Sequence, residues 1–194
     1  MKSSSKILIN VLIVVWFVTL EGCFPLSFQI SKPNKENAEK ISQYLVKEGI
    51  DTSYSFVVDS SIYRKAQRSG FTLPRFKVYN ESGEQIFNLN GYISNFSVQL
   101  QKSIERSETV LEGNTLENEI KILRTRDGQR ITLNNIANDV NYHFVEYWAI
   151  WCSPCKAEMA AVDKFMKEHP ELRINYIKVN WDIQETWYKN NESE

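Results

Sequence analysis

The sequence predicts an α/β protein, because segments with the patterns of strands and of helices alternate along the chain. Residues 142–150 (YHFVEYWAI) are rich in aromatic and β-branched side chains, which is typical of a buried strand. Residues 156–168 carry apolar side chains at helical spacing, and Pro170 lies just past the predicted helix end. Residues 173–182 (RINYIKVNWD) then predict the next parallel strand.

The first half of the chain predicts a similar alternation. Its last two strands are joined by a turn at residues 80–83 (NESG). The predicted strands are 26–30, 55–59, 75–79 and 85–89, and the predicted helices are 37–48, 60–69 and 95–104. The order is therefore strand, helix, strand, helix, strand, strand, helix.

Two cysteines, Cys152 and Cys155, lie one helical turn apart at the junction between a predicted strand and a predicted helix. A helix N-terminus offers unpaired N–H groups and the positive end of the macrodipole, and a thiol pKa of about 8.5 can fall to about 7 or below there. This geometry predicts that Cys152 is exposed and Cys155 buried, so that Cys155 can attack a mixed disulfide formed at Cys152. The spacing indicates redox chemistry.

Two other interpretations of the C-x-x-C motif remain open. A zinc site needs two more ligands, and the remaining residues, Cys23, His143 and His169, include no second pair at zinc-finger spacing. A purely structural disulfide is the other interpretation. We therefore predict no metal.

Composition limits the size and the partners of the protein. The chain has 194 residues, three cysteines, a formal net charge of −1 and 42% hydrophobic residues, which suffices for one or two small domains. The near-neutral charge and the lack of a basic stripe give no indication of nucleic-acid binding. Residues 7–20 follow Lys2 and Lys6 as an apolar run. This run is shorter than the about 20 residues of a membrane span and is typical of a signal-peptide core.

The stretch VEYWAIWCSPCKAE at residues 145–158 resembles the active-site region of thioredoxin-fold thiol–disulfide oxidoreductases, most closely the membrane-tethered TlpA/ResA-like branch. Residues 120–133 (IKILRTRDGQRITL), two predicted short strands around an Asp-Gly turn, extend the likeness upstream, and 173–182 extend it downstream. The resemblance implies a thioredoxin-like three-layer α/β/α fold. It also implies that the disulfide itself is the redox centre, without a separate cofactor.

The resemblance also implies roles for individual residues. Cys152 is the attacking thiol and Cys155 the resolving thiol. Glu146 and Glu158 are buried carboxylates near the second thiol that could take its proton, with solvated surface charges as the alternative. Trp151 shields the disulfide and, with Pro154, shapes a groove for a partner, although Trp151 could instead serve core packing. These substrate partners are cysteines of other exported proteins, and an upstream thiol donor supplies electrons.

The first predicted unit, residues 26–108, has the order of elements of a minimal thioredoxin topology. Residues 72–74 (TLP) resemble the cis-proline loop of that superfamily, which lies beside the cysteines in active members. An ordinary trans Pro74 that opens a strand is the alternative. This unit is cysteine-less, because polar residues 31–34 (SKPN) stand where both thiols would be.

The second unit, residues 113–194, has the thiols but lacks a proline-led hairpin and a closing helix of its own. We expect two tandem domains, with a boundary in the polar stretch 105–116, the second domain being C-terminally incomplete. In the alternative, permuted architecture the first unit supplies the missing hairpin to the second. If the second unit instead lacks that half, the chain is a redox-inactive interaction module.

Residues 20–23 (LEGC) resemble a bacterial lipobox, in which Cys23 is lipidated and becomes the mature N-terminus. Glu21 departs from the pattern, because that position usually carries a small or uncharged residue. The resemblance implies a lipoprotein-type signal peptide over residues 1–23 and a lipid-anchored protein of the bacterial cell envelope that faces the periplasm. An ordinary secretory signal or an uncleaved anchor is the alternative.

Overall fold

The structure is a computed structural model, and its core is a mixed sheet between two layers of helices. It describes residues 28–29, 35–36, 38–59, 61–62, 65–66, 71–110, 112–136 and 139–184. The predicted signal peptide and the polar stretch 31–34 lie outside these residues. No helix within the described ranges is long and apolar enough to cross a membrane.

The described strands and helices follow the predicted alternation. The strands are β1 (Phe28–Gln29), β2 (Lys35–Glu36), β3 (Ser55–Val58), β4 (Thr72–Leu73), β5 (Arg75–Asn80), β6 (Gln85–Asn90), β7 (Leu123–Arg124), β8 (Tyr142–Trp148), β9 (Ile174–Asn180) and β10 (Ile183–Gln184). The helices are α1 (Ala38–Lys47), α2 (Phe96–Arg106), α3 (Leu116–Lys121) and α4 (Ser153–Glu168), with a 3₁₀ turn at Leu133–Asn135. In the predicted helix 60–69, the described residues 61–62 and 65–66 are helical.

Six of the described strands form the central sheet, in the order β6-β5-β8-β9-β3-β7. The inner strands β8, β9 and β3 are parallel, whereas β5 pairs antiparallel with both β8 and β6, and β7 pairs antiparallel with β3. Two short pairs lie apart from it, an antiparallel one of β1 with β4 and a parallel one of β2 with β10.

Each face of the sheet is covered by helices. Because side chains alternate along a strand, Phe144 and Val145 on β8 point to opposite faces. Phe144 belongs to an apolar cluster with α2 and the middle of α4, and Val145 belongs to a cluster with α1 and α3. The predicted three-layer α/β/α arrangement is confirmed.

The expectation of two tandem domains is wrong, because strands of both predicted units share one sheet. Strands β5 and β6 from residues 26–108 lie on one side of β8, and β3 lies beyond β9. The physical reason is backbone pairing. A lone β8–β9 unit would expose unpaired N–H and C=O groups along its edges, and β5 and β3 pair with them. The arrangement is that of the permuted alternative.

The polar stretch 105–116 is not a free linker between domains. The Val110 N–H donates to the Gln85 carbonyl (2.8 Å), and the Leu116 N–H donates to the Gly83 carbonyl (2.9 Å). The segment therefore leads from α2 to α3 and is hydrogen-bonded to the β5–β6 hairpin along the way. The charges of α3 obscured the helix in the sequence, but the buried side chains of Leu116 and Ile120 attach it to the sheet.

The strands predicted within residues 120–133 are only partly correct. The first part belongs to α3, and the strand β7 is two residues long. The Asp-Gly turn is present: the Gly128 N–H donates to the Thr125 carbonyl (2.9 Å), and Gly128 has a φ of 88°, which glycine tolerates best. A single bridge between Arg124 and Arg130 closes the turn.

The composite sheet predicts that residues 113–194 do not fold cooperatively on their own. Without residues 26–108, β8 loses β5 and β9 loses β3, so two ladders of hydrogen bonds and a large part of each apolar cluster disappear. We expect no cooperative urea transition, followed by circular dichroism, for the isolated fragment. Mixing it with a fragment of residues 24–112 should restore a transition, and a fully cooperative isolated fragment would contradict the shared sheet.

Candidate functional site

The two predicted cysteines form a disulfide where β8 runs into α4. Strand β8 ends at Trp148, and the Cys152 N–H donates to the Ala149 carbonyl (3.0 Å) in the tight turn that follows. Helix α4 begins at Ser153, three residues earlier than the apolar periodicity predicted. The Cα atoms of Cys152 and Cys155 are 5.3 Å apart, and their sulfur atoms are bonded.

The helix N-terminus is directed at the first sulfur atom. Cys152 is the N-cap of α4, and the Cys155 N–H donates to Cys152 Sγ at 3.3 Å. Pro154 lies in the first turn, where its missing N–H costs no helical hydrogen bond. When the disulfide is reduced, this N–H and the positive end of the helix dipole favour a thiolate at Cys152.

The predicted difference in exposure between the thiols is wrong for the disulfide form. Cys152 is 2% exposed and Cys155 is 1% exposed. The two sulfur atoms differ in their neighbours instead. Cys152 Sγ accepts the helix N–H, whereas Cys155 Sγ lies 3.9 Å from the Tyr147 carbonyl oxygen. The asymmetry is therefore one of hydrogen bonding.

Glu146 and Glu158 are fully buried, so the alternative of solvated surface charges is wrong for both. Burial raises the pKa of Glu158 to about 8, and no described residue donates a hydrogen bond to its carboxylate oxygens. Burial, followed by the charge of Glu158, raises the pKa of Glu146 well above its usual range. Both carboxyl groups therefore ionise at a higher pH than an exposed glutamate would, and Glu158 lies on the helix that begins at the cysteines.

Two residues of β9 that the sequence analysis did not single out lie against Glu146. The Tyr176 hydroxyl donates to Glu146 Oε2, and Lys178 pairs with Glu146 across the β8–β9 ladder. Lys178 is buried, its pKa is lowered by burial, and its Nζ lies 4.2 Å from the Tyr176 ring centroid. A lysine in the middle of a predicted parallel strand was the available signal, since such a strand is buried on both faces.

Aromatic side chains surround the end of β8. Trp151 is half-buried against the apolar cluster that contains both cysteines, and Pro154 is half-buried beside it. The Trp181 ring stacks on Phe71 with centroids 3.6 Å apart. Trp151 thus keeps an exposed part next to the disulfide, whereas Trp181 is core.

Asp182 fixes the loop that precedes the cysteines. Its Oδ2 accepts hydrogen bonds from the Ile150 N–H (2.8 Å) and from Asn180 Nδ2 (3.0 Å). The end of β9 is thereby tied to the turn between β8 and α4. Asp182 is the last residue of the predicted strand 173–182, and the structure gives it this contact.

Pro74 lies at the start of β5, and the Leu73–Pro74 peptide bond is cis, so the predicted cis proline is confirmed and the trans alternative is wrong. Arg75 pairs with Tyr147, so Pro74 lies at the end of the sheet where β8 leads into the cysteine turn. Leu73 belongs to the same buried cluster as both cysteines.

Cys23, the predicted lipidation site, lies outside the described residues.

Metal binding has no support within the described part of the chain, which contains no group of three or more His, Cys, Asp or Glu side chains able to hold an ion. His143 is buried, and its Nδ1 lies 3.4 Å from Asn175 Nδ2. His169 is near Glu171, with Nδ1 and Oε1 3.3 Å apart. Neither histidine lies with the cysteine pair.

The comparisons with known proteins agree with this geometry. Residues 131–192 match the family model Thioredoxin. The sporulation thiol-disulfide oxidoreductase A of Bacillus subtilis is 30% identical over 59 residues, which cover 30% of this chain and 34% of that protein. The thioredoxin-like protein YneN of Bacillus subtilis is 28% identical over 99 residues, which cover 51% of this chain and 49% of that protein.

The chain spans about half or less of the length of these curated relatives, and no solved structure matches it significantly. The matched region contains β8, the disulfide, α4 and β9. The chain therefore carries a thioredoxin-like domain with a cysteine pair, similar to one protein named a thiol-disulfide oxidoreductase and to another named thioredoxin-like.

The raised pKa of Glu158 predicts that stability falls as the pH rises. The folded pKa of about 8 exceeds the ordinary value of 4.5. The native state therefore binds more protons between these values, and the stabilisation present below pH 4.5 is lost as the pH rises through 8. For one proton, the free energy of unfolding falls by at most about 1.4 kcal/mol per pH unit. Urea unfolding of the disulfide form from pH 5 to 9 measures it.

Glu158→Gln should flatten this slope, because the amide has no proton to lose. Glu168→Gln is the matched control, since Glu168 is exposed on the same helix. Equal slopes for the wild type and Glu158→Gln would show that the carboxyl group is not held protonated.

Proposed function

We propose that this protein is an exported thiol–disulfide oxidoreductase of the TlpA/ResA-like branch, which exchanges disulfides with cysteines of other exported proteins. The observation that carries the proposal is the Cys152–Cys155 disulfide at the N-terminus of α4, with a helix N–H on Cys152 Sγ. That N–H favours Cys152 as the attacking thiolate. The similarity to the sporulation thiol-disulfide oxidoreductase A of Bacillus subtilis supports the class of reaction.

In the reducing direction the reaction takes two steps. The Cys152 thiolate attacks one sulfur of a partner disulfide, forms a mixed disulfide and releases the other partner sulfur as a thiolate that takes a proton. The Cys155 thiolate then attacks Cys152 Sγ, which re-forms the Cys152–Cys155 disulfide and releases the second partner thiol. Two electrons pass to the partner, and an upstream thiol donor returns two electrons to the protein.

The buried carboxyl groups give the second step a route for its proton. Glu158 lies one helical turn beyond Cys155 on α4, and the ionised fraction of a group with a pKa of about 8 rises through the working range. Glu146 lies next to Tyr147, whose carbonyl is near Cys155 Sγ. We assign this carboxyl pair the role of taking the Cys155 proton as that thiol attacks.

We assign contact with the substrate to the half-buried residues around the disulfide. Trp151 and Pro154 offer an apolar surface on the α4 side, and Pro74 borders the same end of the sheet. A redox-inactive interaction module would be favoured if the thiol unit lacked the hairpin half of the fold. The pairing of β5 with β8 supplies that half, which favours the enzyme.

The exchange reaction predicts opposite outcomes for the two cysteines. Cys155→Ser should accumulate a mixed disulfide with a reactive small disulfide such as 2,2′-dithiodipyridine or with a partner, because no resolving thiol remains. Cys152→Ser should lose insulin reduction altogether. Intact-mass spectrometry and the insulin turbidity assay on residues 24–194 measure both. Equal trapping at the two positions would contradict the roles, and an inactive wild type would favour the interaction module.

We also propose that Cys23 carries a lipid anchor that holds the protein at the cell envelope. The proposal rests on the short apolar run 7–20 and the LEGC pattern. A diacylated and N-acylated cysteine has enough acyl chains for stable anchoring.

Cys23→Ser should therefore move the protein from the membrane fraction to a soluble exported or unprocessed form. Fractionation and labelling with palmitate measure this, and Cys152→Ser is the matched control that keeps Cys23. If the wild type takes up no label, there is no lipid anchor.

A further inference from the structure

Glu119 is a fully buried carboxylate at the centre of a hydrogen-bond network that the disulfide chemistry above does not use. Lys77 Nζ donates to its two oxygens at 2.9 and 2.7 Å. Tyr79 Oη (2.9 Å) and Asn114 Nδ2 (2.7 Å) also donate to it, as does the Tyr147 hydroxyl. A buried charge with this many donors is stable only because each donor is in place.

The network joins the two strands that meet at the disulfide. Lys77 and Tyr79 belong to β5, the strand that follows Pro74, and Tyr147 belongs to β8, five residues before Cys152. Tyr147 is also the residue whose carbonyl oxygen lies 3.9 Å from Cys155 Sγ. One side chain therefore connects the hairpin from the first half of the chain to the strand that carries the thiols.

Cations accompany the buried charge of Glu119. Burial alone would raise the pKa of Glu119, but the Lys77 ammonium and the hydrogen bonds lower it, so the carboxyl group is ionised. Arg75, half-buried above the Phe71 ring at 4.1 Å, is a second cation that interacts with Glu119 and faces Tyr147. Lys77 Nζ itself lies 5.7 Å from the Tyr147 ring centroid.

We propose that Glu119 is a positioning residue for disulfide exchange, which ties β5 to β8 and offsets the positive charge of Lys77 on the strand that pairs with β8. The inference rests on the proposed function and deepens it, because it places control of the redox equilibrium in a helix remote in sequence from the C-x-x-C motif. Glu119 touches neither sulfur atom and acts through Lys77 and Tyr147.

The sign of the effect follows from the charges. Glu119→Gln leaves Lys77 and Arg75 uncompensated, which favours thiolates and hence the reduced form. Lys77→Met leaves Glu119 with Arg75 as its remaining cation, so the local positive charge falls by one, which disfavours thiolates and hence favours the disulfide. A role that is only structural would lower stability in both variants and would not move the redox equilibrium in opposite directions.

The experiment is a redox titration of the full chain against dithiothreitol at pH 7.5, with the reduced fraction measured by thiol alkylation and mass. We expect the equilibrium constant for reduction to rise about fivefold in Glu119→Gln and to fall by a similar factor in Lys77→Met, as for a charge acting through protein of moderate dielectric constant. In the variant that combines Glu119→Gln with Lys77→Met, the equilibrium constant for reduction should be close to that of the wild type. Glu117→Gln, exposed on the same helix and paired with Lys121 at 2.9 Å, is the matched control and should not change it.

Opposite shifts in the two single variants, with recovery in the double variant, support the proposal. Wild-type values in Glu119→Gln, or shifts of the same sign in both, overturn it while insulin reduction by the wild type keeps the proposed function intact. A wild type that exchanges no disulfide overturns both. If Glu119→Gln does not fold, the comparison of Lys77→Met with the double variant decides. Equal equilibrium constants for reduction in these two variants overturn the proposal.

Discussion

The pairing of β5 with β8 is the interaction on which the rest of the structure depends. It brings the hairpin of the first half of the chain against the strand that carries the cysteines, and it covers one edge of β8 while β9 covers the other. Once β8 is paired on both sides, its last residue fixes the start of the turn at Ala149 and so the direction in which α4 leaves the sheet. The geometry of the disulfide is a consequence of that pairing.

The same central position explains the electrostatics of the site. Side chains of β8 that face inward have no access to water, so Glu146 on one face and the Tyr147 hydroxyl on the other must find partners within the protein. On one face the Tyr176 hydroxyl donates a hydrogen bond to Glu146, and Glu158 is buried on the same side of the sheet. On the other face Tyr147 meets Glu119, which is ionised because Lys77 accompanies it. The two faces of β8 thus differ, because carboxyl groups of raised pKa lie on one face and an ionised carboxylate with its lysine lies on the other.

Local patterns in the sequence predict local structure well here. The periodicity of β8 and α4, the hairpin at residues 80–83 and the position of the cysteines depend on residues close together in the chain. The shared sheet depends on which strands meet, and apolar strands of similar length offer several pairings of similar pattern. Helix α3 was missed because LENEIK resembles a polar linker; only the tertiary contacts reveal that Leu116 and Glu119 are inside. Glu146 and Glu158 were named from resemblance, but their burial follows from the packing of β9 and α4.

The order of the strands along the chain has a consequence for how the protein acquires its fold. Two pairings of the sheet join residues far apart in sequence, as with Arg75 and Tyr147 or Ser55 and Lys178. Their loop-closure entropy must be overcome before the pairing gains free energy, and such topologies fold slowly. In vectorial synthesis the β5–β6 hairpin emerges well before β8, so its unpaired edge is open to association with other chains until the second half arrives.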